Sequence, residues 1–272
     1  MLQNLHTHST FCDGKNTPRE MIEAAIRLGF DSLGFSGHAP TAQDTEWETK
    51  KDRVWEYKNE ILSLKDEYAD RIKIYLGLEL DRYSIGLYDK RELAYTLGSA
   101  HMARRDGAWY DFDHCAEEAK RAIDELFCKD ALAYARSYYE TVVDTASVLD
   151  FDIVGHFDLL TKFSEKAPEL IPIDSKEYQS IALEALHAVR EKKEIFEVNT
   201  GAISRGHRTT PYPAPFILDE MKAIGCKLVL TSDCHAASGL DCGFKEAREY
   251  IKAHGFDTLY YLTDNGFIGE KI

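Results

Sequence analysis

The opening stretch MLQNLHTHSTFCDG sets two histidines one residue apart and follows them with a cysteine and an aspartate. On an extended strand, positions i and i+2 project to the same side, so His6 and His8 can hold one cation between them. Imidazole and carboxylate donors without a thiolate cluster suit zinc, manganese or iron. An HxH pair is a weak signal alone, because a chain with 10 histidines supplies one by chance easily enough. Position strengthens it. Further donors stand at the ends of short apolar runs: His38 after SLGFS, Glu79 in IKIYLGLEL, His101 after AYTLGSA, His156 closing FDIVGH, Asn199 in IFEVNT, and Asp233 with His235 after KLVLTS. Paired ions bridged by a carboxylate are a common arrangement in hydrolytic sites.

Such donors act together only if a scaffold gathers the strand ends. The runs MLQNL, SLGFS, IKIYLGLEL, AYTLGSA, FDIVGH, IFEVNT, KLVLTS and TLYYL read as strands. Between them, PREMIEAAIRLG, VWEYKNEILSLKDEY, EYQSIALEALHAVREKK and FILDEMKAIG read as amphipathic helices, the first opened by Pro18 and closed by Gly29. Strands alternating with helices imply parallel pairing through right-handed crossovers. Seven or eight such units in 272 residues point to an α/β fold closed as a TIM-like barrel, whose C-terminal rim is where active sites are built. Residues 111–148 break the alternation with two successive helical patterns, AEEAKRAIDELFCKD and ALAYARSYYETVVDTASVL, so a helical insertion is expected there, either over the pocket or along the barrel flank. No repeat or low-complexity linker divides the chain, and residues 1–272 read as a single domain.

Composition narrows the function classes. With 44% hydrophobic and 29% charged residues, and no apolar run of membrane length, the chain reads as globular with no membrane partner. A net charge of −14 disfavours general binding to nucleic acid. Cys12, Cys115, Cys128, Cys226, Cys234 and Cys242 include no CxxC pair, and the N-terminus shows no secretion signal; reduced thiols and a cytoplasmic location are expected. Oligomeric state is not legible.

The segments HTHSTFCDG, SGHAP, GLELD, GSAHM, GHFD and TSDCH, in this order and at these intervals, resemble the metal motifs of the polymerase and histidinol phosphatase (PHP) family, and they span residues 6 to 235. Within it, the length, GSAHM and EVNTGAISRGHRTTPYP are most similar to the monofunctional L-histidinol-phosphate phosphatases. The resemblance implies a distorted (β/α)7 TIM-like barrel with three divalent metal ions (Zn, Mn or Fe) and leaves TLYYL as a terminal strand without ligands. It implies that His6, His8, Glu79 and Asp233 hold one ion, and that Glu79 bridges to a second held by His101 and His156. The third then takes His38, His235 and a first-loop residue, Asp13, where some members offer histidine.

The implied activity is hydrolysis of L-histidinol phosphate to L-histidinol and phosphate, in histidine biosynthesis, by metal-activated water. For that chemistry Asp233 is the first choice to carry the proton, with His235 second. Arg205 and Arg208, after the sixth strand, are candidates to grip phosphate, with Lys162 and His207 as further substrate contacts. The alternatives are another phosphate monoester (nucleotide, sugar phosphate or phosphotyrosine) or a non-catalytic metal-binding module. Amidohydrolases share HxH and a late aspartate, but their usual bridge is a modified lysine where GLELD offers Glu79. His114, His187 and His254 read as surface or capping residues, and Cys12 and Cys234 as small buried thiols.

Overall fold

The computed structural model describes residues 1–272. Its strands and helices, in chain order, begin with β1 (Gln3–Asn4), α1 (Pro18–Leu28), β2 (Ser32–Phe35), α2 (Val54–Glu67), β3 (Lys73–Asp81) and β4 (Tyr95–Ser99). There follow β5 (Met102–Arg105), β6 (Ala108–Asp111), α3 (Ala116–Leu126), α4 (Ala131–Val148), β7 (Ile153–Val154), α5 (Lys176–Arg190) and β8 (Ile195–Asn199). The last are α6 (Gly201–Ser204), α7 (Pro215–Ala223), β9 (Lys227–Thr231), α8 (Phe244–Ala253), β10 (Thr258–Thr263) and β11 (Gly266–Lys271).

Seven strands, in the order β1-β2-β3-β4-β7-β8-β9, form one sheet in which every pair is parallel. The ends of the sheet meet at the rim, where Thr7 bridges Cys234: His8 N–H donates to Cys234 O at 3.0 Å and Cys234 N–H to His6 O at 3.3 Å. The expected seven-stranded barrel is present, and the segment carrying HTH doubles as its seam.

Period-two alternation divides each strand between two cores. On β3, Ile74, Leu76, Leu78 and Leu80 face the helices in the large core, whereas Tyr75 belongs to a small cluster with Leu5, Tyr95, Leu97, Ile153, Val229 and Leu262 that fills the barrel floor. Gly77 lies on the parity of Tyr75, and a Cβ there would come within 2.7 Å of the Tyr95 ring. The next residue of that parity is Glu79, fully buried at the rim. Floor and rim are thus built from one row of side chains, apolar below and ionisable above.

Local signals fix the helices. Thr17 caps α1 with a reciprocal contact to Glu20, Pro18 starts it, and Gly29 ends it at φ 76, a left-handed conformation that glycine adopts without steric cost. Such a cap contributes about 1 kcal/mol, and α1 then buries Met21 and Ile22 completely.

Two hairpins depart from the strand list. β5 and β6 pair antiparallel across Asp106-Gly107, both at positive φ. TLYYL, as β10, carries no donor that reaches the rim cluster; it stands outside the barrel sheet and pairs antiparallel with β11. Gln3 binds β10 as a strand would, donating from Nε2 to Leu262 O at 2.9 Å and accepting from Leu262 N–H at 2.8 Å. The expected insertion is also present: α4 lies along the flank against α5, joined by Tyr139 and Tyr178 hydroxyls 2.9 Å apart. The stretch before α3 is the part that reaches the pocket. No helix is long and apolar enough to cross a membrane.

Candidate metal and phosphoester site

Six of the seven barrel strands carry a ligand-type side chain at or beyond their C-terminal ends, and these converge around Glu79; at the end of β8, Asn199 Oδ1 instead accepts from Gly201 N–H at 2.7 Å. Glu79 Oε2 lies 3.1 Å from His6 Nε2, 3.6 Å from His8 Nε2 and 3.0 Å from His38 Nδ1. Its other oxygen, Oε1, lies 3.1 Å from His156 Nε2 and 3.4 Å from His101 Nε2. Asp233 Oδ1 approaches His8 Nε2 at 3.1 Å and His6 Nε2 at 3.5 Å. Asp13 completes the circle, with Oδ2 at 3.1 Å from His235 Nε2 and Oδ1 at 3.6 Å from His8 Nδ1 and 3.8 Å from His38 Nε2. Glu79 therefore faces different histidines with its two oxygens, as a bridging carboxylate must, and the two nitrogens of His8 face different carboxylates.

The electrostatics express a demand for positive charge. Burial opposes ionisation of Glu79, yet His6, His101 and His38 hold its carboxyl well below the usual range. Asp233 is likewise pushed up by burial but brought well below by Arg205 and His6. Burial disfavours charge on His6 too, but Glu197, Glu79 and Asp233 outweigh it and raise its pKa well above the ordinary value. His8, crowded by His235 and His38 after burial has already disfavoured its charge, is lowered to about 3 and stays neutral. Orphaned atoms agree: His6 Nε2, His8 Nε2 and Glu79 Oε2 are buried without a hydrogen-bond partner. Leaving such atoms unpaired costs about 1–3 kcal/mol each, so convergent lone pairs of this kind fit divalent cations.

Asp233 sits at φ 44, in the left-handed region that aspartate tolerates better than most residues. Arg205 explains how it is held: Nη2 donates to Asp233 Oδ2 at 2.9 Å and Nη1 to Asp233 O at 2.8 Å. The donors open onto a cavity of about 480 Å³, lined also by Glu46, Trp47, Asp111, Asp113, His114, Leu159 and Lys162.

All nine residues expected to ligate metal stand in this cluster. The other candidates divide. Arg205 and Lys162 line the cavity, Lys162 paired with Asp113 at 2.9 Å. Arg208 and His207 lie outside the lining, a departure from their expected contact with substrate. The Arg208 guanidinium is buried and turned away, donating to Thr161 Oγ1 at 2.5 Å and lying 3.9 Å from Asp158, while His207 packs edge-on against Phe163. His114 lines the cavity rather than only the surface, whereas His187 is exposed and His254 ends α8 with a 2.6 Å contact to Asp219. Burial pushes the Cys12 and Cys234 thiols up to about 12, so both remain protonated.

Sequence reading missed Glu197, Asp81, Asp111, Asp113 and Trp47. Glu197 is fully buried on β8 against His6, and Asp81 accepts from the His101 backbone N–H at 2.9 Å. Trp47 packs edge-on against His38, with ring centroids 4.7 Å apart. For Glu197 and Asp81 strand parity was the available signal, since Glu197 shares a face with Asn199 and Asp81 with Glu79, whereas Trp47 and Asp113 lie in loops that offer no parity.

Residues 4–201 match the model of the PHP domain. The chain is 30% identical to the "Probable histidinol-phosphatase" of Deinococcus radiodurans over 94% of this chain and 95% of that one. It is 29% identical to the "Histidinol-phosphatase" of Bacillus subtilis, covering 88% and 94% respectively. Its fold is similar to the crystal structure of histidinol phosphate phosphatase from Lactococcus lactis, solved with zinc, L-histidinol and phosphate, at a TM-score of 0.74, with 22% identity and 98% of each chain covered.

Proposed function

Because the chain belongs to the PHP domain family, we propose that it is a histidinol-phosphatase, a metal-dependent phosphoric monoester hydrolase that converts L-histidinol phosphate to L-histidinol and phosphate. One observation carries the reading: Asp13, Glu79 and Asp233, far apart in sequence, meet six imidazoles at one rim, buried except at Asp13 and His235, and His6 Nε2, His8 Nε2 and Glu79 Oε2 there lack hydrogen-bond partners. The relatives of 25–30% identity that share nearly the full length of the chain are named for the same activity.

Three divalent ions account for the donors. His6, His8, Glu79 and Asp233 would hold the first, Glu79, His101 and His156 the second, and Asp13, His38 and His235 the third. Zinc, manganese and iron all suit these ligands. When bound, such ions acidify water toward neutral pKa and neutralise phosphoryl charge.

The chain's own groups supply the rest. Arg205 lines the cavity wall, and it would present a cation to phosphoryl oxygens while keeping Asp233 in place. Asp233, its Oδ2 held by Arg205, would be the group that takes up the proton of the attacking water. It would then pass that proton to the leaving alkoxide, a far stronger base than a carboxylate. His235, 3.6 Å from Asp233 Oδ1 through Nδ1, is the second candidate. Lys162 contributes positive charge at the mouth. The protein works as one unit over residues 1–272 in the cytoplasm, where its six free cysteines are at home.

Phosphate release from L-histidinol phosphate, measured beside nucleotide and sugar phosphates, tests this reading. A clear preference for L-histidinol phosphate is expected; equal or faster turnover of nucleotides would reject the substrate and retain the phosphoesterase.

A further inference from the structure

We infer that Glu197 is a positioning residue for two metal ligands at once: it fixes His6 in the tautomer that leaves Nε2 open to a cation, and it anchors the backbone of His156. The inference rests on the metal-binding part of the proposed function and concerns a residue that is not itself a ligand.

Glu197 lies on β8 between Phe196 and Val198, which face the outer core, so strand alternation turns its carboxylate into the barrel below the rim. It is completely buried, as is His6. His6 Nδ1 lies 2.6 Å from Glu197 Oε1, and the Thr231 hydroxyl donates to the same oxygen. Glu197 Oε2 accepts from the His156 backbone N–H at 2.6 Å. An ionised carboxylate only accepts, so His6 Nδ1 carries the hydrogen. The nitrogen left for a cation is Nε2, which points at Glu79 Oε2 and Asp233 Oδ1 and has no hydrogen-bond partner. A buried carboxylate behind a ligating imidazole fixes the ring and raises its basicity. Here one carboxylate serves His6 on one side of Glu79 and His156 on the other, so the two ion positions that share Glu79 also share a support.

The hydrogen bonds of Glu197 run to His6, the His156 backbone and Thr231 and to none of Asp13, His38 and His235, which gives the inference a signature. Glu197→Gln keeps the side chain's shape but cannot accept on both sides, since one of its two terminal atoms becomes a donor. It should weaken zinc at the positions using His6 and His156 by roughly 10- to 100-fold, while the position of Asp13, His38 and His235 keeps its affinity. A generalised loss of packing would instead affect all positions alike.

The test combines zinc titration against a competing chelator with long-range 15N–1H correlation of the histidine rings. In the zinc-loaded wild type, His6 should show a protonated Nδ1 and a ligated Nε2, and Glu197→Gln should lose zinc selectively. A ligated Nδ1 in the wild type overturns the inference without any variant, so it stays decidable if Glu197→Gln does not fold. Wild-type zinc affinity in a folded Glu197→Gln overturns it alone; a wild type that takes no zinc overturns the metal reading as well.

Discussion

Asp13 Oδ2 lies 3.1 Å from Nε2 of His235, joining the loop after β1 to the segment after β9. Burial pushes the Asp13 carboxyl up, but His38, His235 and His8 hold it well below the usual range, so it is an anionic donor at neutral pH. Asp13→Ala should remove about one metal ion per chain and leave the ions beside Glu79 in place. Elemental analysis after dialysis reads this directly; an unchanged metal count would remove Asp13 from the ligand set.

Arg205 and Arg208 should fail differently. Arg205→Lys keeps a charge but loses the fork that binds Asp233 and faces the cavity, and a loss in kcat of about 10² is expected. Arg208→Lys breaks buried contacts to Thr161 and should cost about 1–3 kcal/mol of stability with kcat/KM near that of the wild type. Steady-state kinetics and urea unfolding of the two variants distinguish these outcomes; equal kinetic losses would return Arg208 to the substrate site.

The Lys162–Asp113 pair gives an acid-dependent signature. Burial raises the Asp113 pKa, but Lys162, followed by His101, outweighs it and brings the value down to about 2 from an ordinary 3.8. A carboxyl group depressed in the folded state stabilises the fold above its ordinary value and loses that contribution as pH falls through the folded one. Asp113→Asn should therefore be less stable than wild type at neutral pH, with the difference closing between 3.8 and about 2. Unfolding of metal-stripped protein across that range checks the sign; a gap that widens on acidification would contradict the pairing.

Chelation should abolish phosphate release and lower Tm, because ions that bind only the native state stabilise it by about 2.7 kcal/mol when present at 100 times Kd. Readdition of zinc or manganese should restore both. A Tm indifferent to chelator would show that the buried imidazoles are satisfied without metal.

Much of this site was legible because a barrel strand states its side-chain directions by parity, and because rim residues come just after apolar runs. His6 with His8, and Glu79 at the end of IKIYLGLEL, follow that rule. Glu197 obeys it too, yet a single acid inside IFEVNT shows nothing of its three donors until β1, β7 and β9 are packed beside it. Arg208 shows the converse: following β8 brought it near the site, but chain position does not say where a long side chain turns. The β5–β6 hairpin carried a local signal in Asp106-Gly107, a favoured two-residue turn that went unread beside the helical pattern after it. The pairing of Gln3 with β10 had none, since it depends on a contact between the two ends of the chain.

Crystals grown with zinc and measured above and below its absorption edge test the central claim most directly. Anomalous peaks are expected on both sides of Glu79, one enclosed by His6, His8 and Asp233 and one by His101 and His156, with a third between Asp13, His38 and His235. A map with no peak among these side chains would contradict the assignment of this rim as a metal centre.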